Sequence, residues 1–329
     1  MSSLFKYVLG GLGLAMGLLG PCAYATSYTY TTVSMPGASQ TSAVGINDNG
    51  AIVGMYGNGI LVFSSILLGS VNGFLDNNGI YTTLTVPFAG VSDTTAHGIN
   101  NNGTIIGSYT DSSGIGHAFL DNNGSYTTFT VPFAGASSID VSGINNNGAI
   151  VGSYNDSSGM SQGFLDNNGT FTTLTVPFAG ASNTFADAIN NSGTIVGTYN
   201  DSSGMINSFL DNGGTFTSLN VPGSSSTSAY GINNNGTIVG IYVDSSGTHS
   251  FLDNGGVFTA FAVPGASFSQ VLGINNNGDI VGISFNSSGQ QYSFLATPVP
   301  EPATSWLMGA GLLVLVGGVR RKGKGRDKG

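Results

Sequence analysis

The feature that most constrains the fold of this chain is a phrase written six times. Gly-Ile-Asn words begin at Gly45, Gly98, Gly143, Gly231 and Gly273, Ala188 opens a sixth as Ala-Ile-Asn, and the spacings are 53, 45, 45, 43 and 42 residues. Phe-Leu recurs in step at Phe74, Phe119, Phe164, Phe209, Phe251 and Phe294, and Val-Pro closes five units at Pro87, Pro132, Pro177, Pro222 and Pro264. Periods of this length signify a stacked or radial repeat, in which each unit buries its apolar faces against its neighbours. Between Ala96 and Pro132, four runs of Ile, Val, Phe, Tyr and Thr are separated by Asn-Gly or Ser-Gly turns, which supply the positive φ that tight hairpins need. The unit is predicted to be a four-stranded antiparallel meander, the size of a propeller blade. Helical periodicity is lacking, which excludes helical repeat designs.

The last unit stops after Ser-Phe-Leu-Ala-Thr-Pro without a fourth strand, while YTYTTVSMPGAS near the start matches VFTAFAVPGAS of the fifth unit. Pairing of Tyr28 to Met35 with the strand around Phe294 would close a ring and leave no sheet edge without a neighbour. The expectation is an all-β, six-bladed β-propeller of four-stranded antiparallel blades over residues 26–298, closed by the N-terminal strand. The alternative is a β-solenoid or other stacked β-repeat, which calls for polar caps that are not visible in the sequence.

Charge decides which partners this body tolerates. The formal net charge is -9, yet all seven Lys and Arg lie in the termini: Lys6, Arg320, Arg321, Lys322, Lys324, Arg326 and Lys328. Fourteen Asp, from Asp48 to Asp279, occupy the interval without Lys or Arg. Such a surface cannot neutralise phosphates, so nucleic acid and anionic membranes are poor partners, and no salt bridges are expected to organise the fold. Cations and neutral polar ligands such as sugars remain.

The two ends read as addresses. Lys6, an apolar stretch from Tyr7 to Leu19 and the Ala23-Tyr24-Ala25 word form a secretory signal over residues 1–25, with cleavage expected before Thr26. The single cysteine, Cys22, lies in that segment, so thiol and disulfide chemistry are not expected of the mature protein. At the other end, Val299-Pro300-Glu301-Pro302, an apolar run from Trp306 to Val319 and a basic cluster follow one another. This order resembles the PEP-CTERM sorting signal of Gram-negative bacteria. The resemblance, over 299–329, implies a short transmembrane helix, recognition by an exosortase, removal of the tail near the motif and delivery to the cell surface or extracellular matrix. The family includes many exopolysaccharide-associated proteins. The repeats from Gly45 to Leu295 also resemble bacterial extracellular HAF repeats, on the word His117-Ala118-Phe119 followed by Leu120-Asp121 and a Gly-containing turn. That resemblance implies an extracellular β architecture and no activity.

Candidate chemistry is sparse. Asp76, Asp121, Asp166, Asp211 and Asp253 open the third turn of their units, and Asp111, Asp156, Asp201 and Asp244 open Asp-Ser-Ser-Gly turns. Each is placed to cap its own turn. The calcium-loop pattern is not met in any unit, so no cofactor is expected beyond weak surface Ca2+ between Asp and Asn of neighbouring turns. His117 and His249 stand two residues before the Phe, where the other units carry Asn72, Gln162, Asn207 and Tyr292. His97 precedes its Gly-Ile-Asn word, where the others carry Val44, Ser142, Asp187, Tyr230 and Leu272. Structural hydrogen bonding near a blade end is the leading reading of His117 and His249, and variation at the His97 position is how repeats tune recognition but equally what an unconstrained site looks like. With that alternative open, His97, His117, Asp187, Tyr230 and His249 are the candidate ligand-binding residues. His97 and Asp187 lie two blades apart and are not expected to touch. Catalytic constellations are absent: the body has no Lys, Arg or Cys, and no Glu to pair with an Asp.

The first unit carries eight extra residues within YGNGILVFSSILLGSVNGF, an apolar hairpin extension over residues 59–71 that serves as core or as a partner contact. Together these features predict an exported, non-catalytic structural or binding component of the cell surface or matrix, associated with exopolysaccharide or a surface protein. A glycan-binding propeller is the runner-up, and an extracellular hydrolase is third.

Overall fold

The structure, a computed structural model, describes residues 27–57, 61–62, 65–66 and 71–300 of the chain. These form six four-stranded antiparallel sheets arranged as a six-bladed propeller. The second blade is typical: Asp93–Ile99 is the inner strand, followed outward by Thr104–Thr110, Gly116–Asn122 and Ser125–Phe129. The inner strands of the others are Gln40–Ile46, Ser137–Ile144, Ser182–Ile189, Ser226–Ile232 and Phe268–Ile274. A short pairing of Leu61–Val62 with Ser65–Ile66 belongs to the first blade's insertion. Whether the apolar side chains of that insertion are core or contact lies outside the described residues, as do the signal segment 1–25 and the tail beyond Pro300.

Turn chemistry explains the meander. In the third turn of the second blade, Asn123 and Gly124 both take positive φ, 52° and 91°, the hairpin geometry in which Asn-Gly is least strained. Asp121 caps that turn by accepting the Gly124 N–H at 2.6 Å, and Asp76, Asp166, Asp211 and Asp253 cap theirs in the same way. In the Asp-Ser-Ser-Gly turn, Asp111 Oδ1 accepts the N–H groups of Ser113 and Ile115. The recurring aspartates are therefore used by their own turns.

The core lies between blades. Each Phe of the Phe-Leu words is at most 2% exposed and faces, across the sheet, the Gly of an Ile/Val-Gly word: Phe164 pairs with Gly152, for example. A Cβ at Gly152 would overlap the Asp140 carbonyl oxygen of the adjacent inner strand, and Gly54, Gly107, Gly197, Gly240 and Gly282 are confined by the equivalent carbonyls. Only glycine lets the two innermost strands approach closely enough to cover the ring below. Where the third strand reads Ser-Phe rather than Gly-Phe or Ala-Phe, the buried hydroxyl stitches blades together. Ser208 donates to Thr227 O and accepts the Ala229 N–H, and Ser250 and Ser293 repeat this at the next two junctions.

The ring closes as the sequence predicts. Tyr28–Val33 pairs with Gln291–Pro298, Thr32 opposite Phe294, and becomes the outer strand of the sixth blade. Val33 packs with Ala43, Ile46 and Phe74 of the first blade. On the axis, the Gly-Ile-Asn-Asn-Asn-Gly words close a second time. The amide of Asn47 donates to the carbonyl of Asn100, Asn100 to Asn145, Asn145 to Asn190, Asn190 to Asn233, Asn233 to Asn275, and Asn275 back to Asn47. A parallel circuit runs one residue on: the N–H of Asp48, Asn101, Asn146, Asn191, Asn234 and Asn276 each donates to the side-chain oxygen of the next, ending on Asp48.

Candidate functional site in the axial pocket

The site begins with an irregularity that every blade shares. Pairing of the inner strand with its neighbour slips by one residue between Ala43 and Gly45, Ala96 and Gly98, Val141 and Gly143, Ala186 and Ala188, Ala229 and Gly231, and Val271 and Gly273. The residues skipped are Val44, His97, Ser142, Asp187, Tyr230 and Leu272, one bulge per blade. A bulged residue gives up its ladder partner and its side chain is re-aimed. All six line one cavity of about 600 Å³ on the propeller axis. The six isoleucines of the Gly-Ile-Asn words, Ile46, Ile99, Ile144, Ile189, Ile232 and Ile274, separate it from a small polar recess among the asparagines at the opposite mouth.

Chemistry is distributed unequally around this wall. The first and sixth blades present Val44 and Leu272, whereas the second to fifth present His97, Ser142 with Asp140, Asp187 and Tyr230. Asp140 is the residue that sequence reasoning missed. It sits two positions before the bulge, where the other blades carry Ser42, Thr95, Phe185, Ser228 and Gln270. Variation at that second position was the only signal available.

His97 and Asp187 do lie two blades apart, and Asp140 on the blade between them links them electrostatically. His97 Nδ1 is 2.7 Å from Val141 O and 3.3 Å from Asp140 Oδ1, while Nε2 is 2.9 Å from Thr95 Oγ1. Burial opposes the imidazolium, but the Asp140 charge and hydrogen bond, with the Val141 carbonyl, outweigh it and raise the His97 pKa above 6.5. Burial raises Asp187 to about 8; the hydrogen bond from Thr198 opposes this and the Asp140 charge adds to it. Tyr230 is pushed up to about 12 by burial first and by the Asp187 charge second. Asp187 is thereby biased toward its protonated form.

The other two candidates are not at the axis. His117 Nε2 is 2.9 Å from Asp111 Oδ2, and its ring stacks on Tyr109. Gln162 and Asn207 make the same side-chain bond to Asp156 and Asp201, and His249 lies 2.8 Å from Ser246 Oγ and 3.3 Å from Asp244 Oδ1. The expectation of a body without salt bridges is corrected in one respect: each of the three histidines lies within 3.3 Å of an aspartate, a contact that is an ion pair only when the imidazole is protonated. Among the described residues no group of three or more His, Cys, Asp or Glu is placed to hold a metal ion.

No curated protein matches the chain. It is similar to the SapL1 lectin solved in complex with alpha methyl fucoside, at 14% identity over 80% of this chain and 98% of that one, TM-score 0.49. It is likewise similar to a mutant of AofleA from Arthrobotrys oligospora, at 10% identity over 82% and 86%, TM-score 0.48. The β-propeller domain of the Trilobed protease from Pyrococcus furiosus matches at 8% identity over 78% and 94%, TM-score 0.45. The PEP-CTERM protein-sorting motif is matched by residues 298–322. That motif signals export and sorting to the cell surface in Gram-negative bacteria, and it implies recognition by an exosortase.

Proposed function

We propose that the chain is a non-catalytic binding component of the cell surface or extracellular matrix, and that its axial pocket is where it holds a ligand group of an associated polysaccharide. One observation carries this reading. The six bulges aim six different side chains into one cavity of about 600 Å³, while the words on either side of each bulge are repeated almost unchanged. That volume is within the usual range for small-ligand sites, roughly 300–1,000 Å³. Other repeat positions also vary while serving only their own turns, as His117, Gln162 and Asn207 do; the bulge position differs from them in that all six of its residues face the same cavity.

The reading is non-catalytic because the pocket offers one histidine already bonded to Thr95, Val141 and Asp140, and no activated nucleophile beside it. The test is retention on matrix polysaccharide in cells that sort the protein normally, comparing the wild type with Ser142→Trp, which fills the cavity from the third blade. Loss of retention with unchanged surface delivery supports the reading. Full retention of Ser142→Trp would place binding on the outer blade surfaces instead.

A further inference from the structure

We propose that the group taken by the axial pocket is an organic ammonium, with Asp187 as its charge partner and a short neutral body lying against Val44, Leu272 and the isoleucine collar; this rests on the axial-pocket reading above. The charge inventory of the cavity is the first argument. The inner strands of the second to fifth blades contribute His97, Asp140, Asp187 and Tyr230, and those of the first and sixth contribute no titratable group to the wall. Asp140 has a basic partner within the fold, His97 at 3.3 Å. Asp187 is held by the Thr198 hydroxyl at 3.3 Å, and no Lys or Arg exists between residues 27 and 300 to neutralise it. A carboxyl that is partly withdrawn from water and has no basic residue of the fold beside it favours either its protonated form or a cation brought from outside.

The class of cation follows from the surroundings. A bare divalent ion needs several oxygen or nitrogen ligands converging on a point, and no group of three or more is placed that way among the described residues. An anion would meet two carboxyls and no basic residue other than His97. An ammonium on a compact carbon body matches both halves of the wall: Asp187 and the electron-rich Tyr230 on one side, aliphatic side chains on the other. The pKa of Asp187, near 8 through burial, adds a linked signature. At pH 7 the carboxyl must lose its proton to pair with an ammonium, so binding releases a proton to solvent.

An ammonium reaches such a pocket either on a free small amine or on an unacetylated amino sugar of a polymer. Both sources are tested by calorimetric titration of the full chain in nonionic detergent with a glucosamine disaccharide, its di-N-acetyl twin and pentylamine. The expected result is that at least one amine binds tenfold or more tightly than the neutral twin, with proton release seen by comparing two buffers at pH 7. Asp187→Asn, nearly isosteric, should lose at least tenfold in amine affinity together with the proton release, and Ser142→Trp should abolish binding. Binding of the disaccharide but not pentylamine assigns the polymer as source; the reverse assigns a free amine. Equal binding of the amine and its acetylated twin, lost in Ser142→Trp, overturns the ammonium assignment and leaves axial binding standing. Undiminished binding in Ser142→Trp overturns both, and failure of every amine to bind overturns the ammonium assignment.

Discussion

The side-chain amide of Asn275 donates to the carbonyl oxygen of Asn47 at 3.0 Å across 228 residues of chain, and this bond completes the inner asparagine circuit. The same side chain uses its oxygen locally, accepting the N–H groups of Asn277 and Asp279. One residue type thus shapes its own turn and holds the next blade, which is why the phrase runs to three consecutive polar residues before its glycine. Burial makes the arrangement costly to break, since these asparagines are between 3% and 6% exposed.

Asn145→Ala should therefore destabilise the protein strongly. It removes the bond to Asn190 O and strips acceptors from the N–H groups of Asn147 and Ala149. Leaving buried polar groups unpaired costs about 1–3 kcal/mol each when water cannot reach them, so a total on the order of 3 kcal/mol is expected. Asn102→Ala removes only an exposed bond to Asn146 O and should cost under about 1 kcal/mol. Denaturant titration of the two variants separates them, and equal midpoints would show that the circuit contributes nothing.

Gly152→Ala should be worse than either. The added methyl meets the Asp140 carbonyl oxygen and the Phe164 ring, both fixed by the sheet. Relief requires prising the inner strand from its neighbour, at a cost above about 4 kcal/mol, which is exceptional for a single methyl. Soluble yield and far-ultraviolet circular dichroism would reveal it, and a well-folded Gly152→Ala protein would mean that the inner strands are more loosely packed than described.

Much of this architecture is legible in the sequence because its determinants are local. Alternating Ile, Val, Thr and Tyr, Asn-Gly turns and the displaced copy of the fourth strand at Tyr28 are each readable within about ten residues. The bulges are not, because a strand pattern is read with period two, and the extra residue at His97 or Asp187 shows only once Ala96 and Gly98, or Ala186 and Ala188, are seen opposite adjacent partners. Asp140 was hidden for the same reason: its place on the axis depends on the neighbouring strand's register. The asparagine circuits escaped because a turn motif accounts for Asn-Gly by itself, and their second role is visible only between units some 45 residues apart.

The pH dependence of stability should carry the mark of Asp187. Its carboxyl titrates near 3.8 when unfolded and near 8 when folded, so between these values the folded state binds the extra proton. Stability is then lost as pH rises from about 4 to 8 and is level above that. Asp187→Asn removes this dependence. The variant should match the wild type in melting temperature near pH 4 and exceed it increasingly up to pH 8. Asp156 works in the opposite sense at the acid end: the Ser158 hydroxyl first, then Gln162 and backbone N–H groups, lower it to about 2, so its contribution is present above 3.8 and fades as pH falls toward 2. A melting difference that does not change with pH would show that Asp187 stays ionised in the fold.

Replacement of Pro300-Glu301-Pro302 by alanines should leave the tail uncleaved and the protein at the inner membrane. The prediction rests on the expectation that the apolar run from Trp306 to Val319 alone would hold the chain, while removal of the tail would need the sorting motif matched at residues 298–322. Fractionation and the mass of the mature form decide it, with normal surface delivery counting against the motif's role.

Deletion of Thr26 to Pro36 should damage the fold far more than loss of an equally long exposed loop. Six backbone pairings vanish, from Tyr28 opposite Pro298 to Val33 opposite Ser293, and Gln291–Pro298 becomes an open edge that invites pairing with another chain. Val33, only 3% exposed, leaves the junction between the sixth and first blades, and Phe261 loses the Tyr28 ring 5.5 Å away and the Tyr30 ring 6.3 Å away. One fully buried valine alone contributes about 1.5 kcal/mol or more, and in a protein of this size each kcal/mol moves the melting temperature by roughly 2–4 °C. A fall on the order of 10 °C is expected, accompanied by concentration-dependent association through the bared edge. A synthetic peptide spanning Thr26 to Pro36, added in trans, should restore part of the loss by reoccupying the outer position. A melting temperature unchanged within about 2 °C, with no response to the peptide, would mean that the ring is held by the axial asparagine circuits alone.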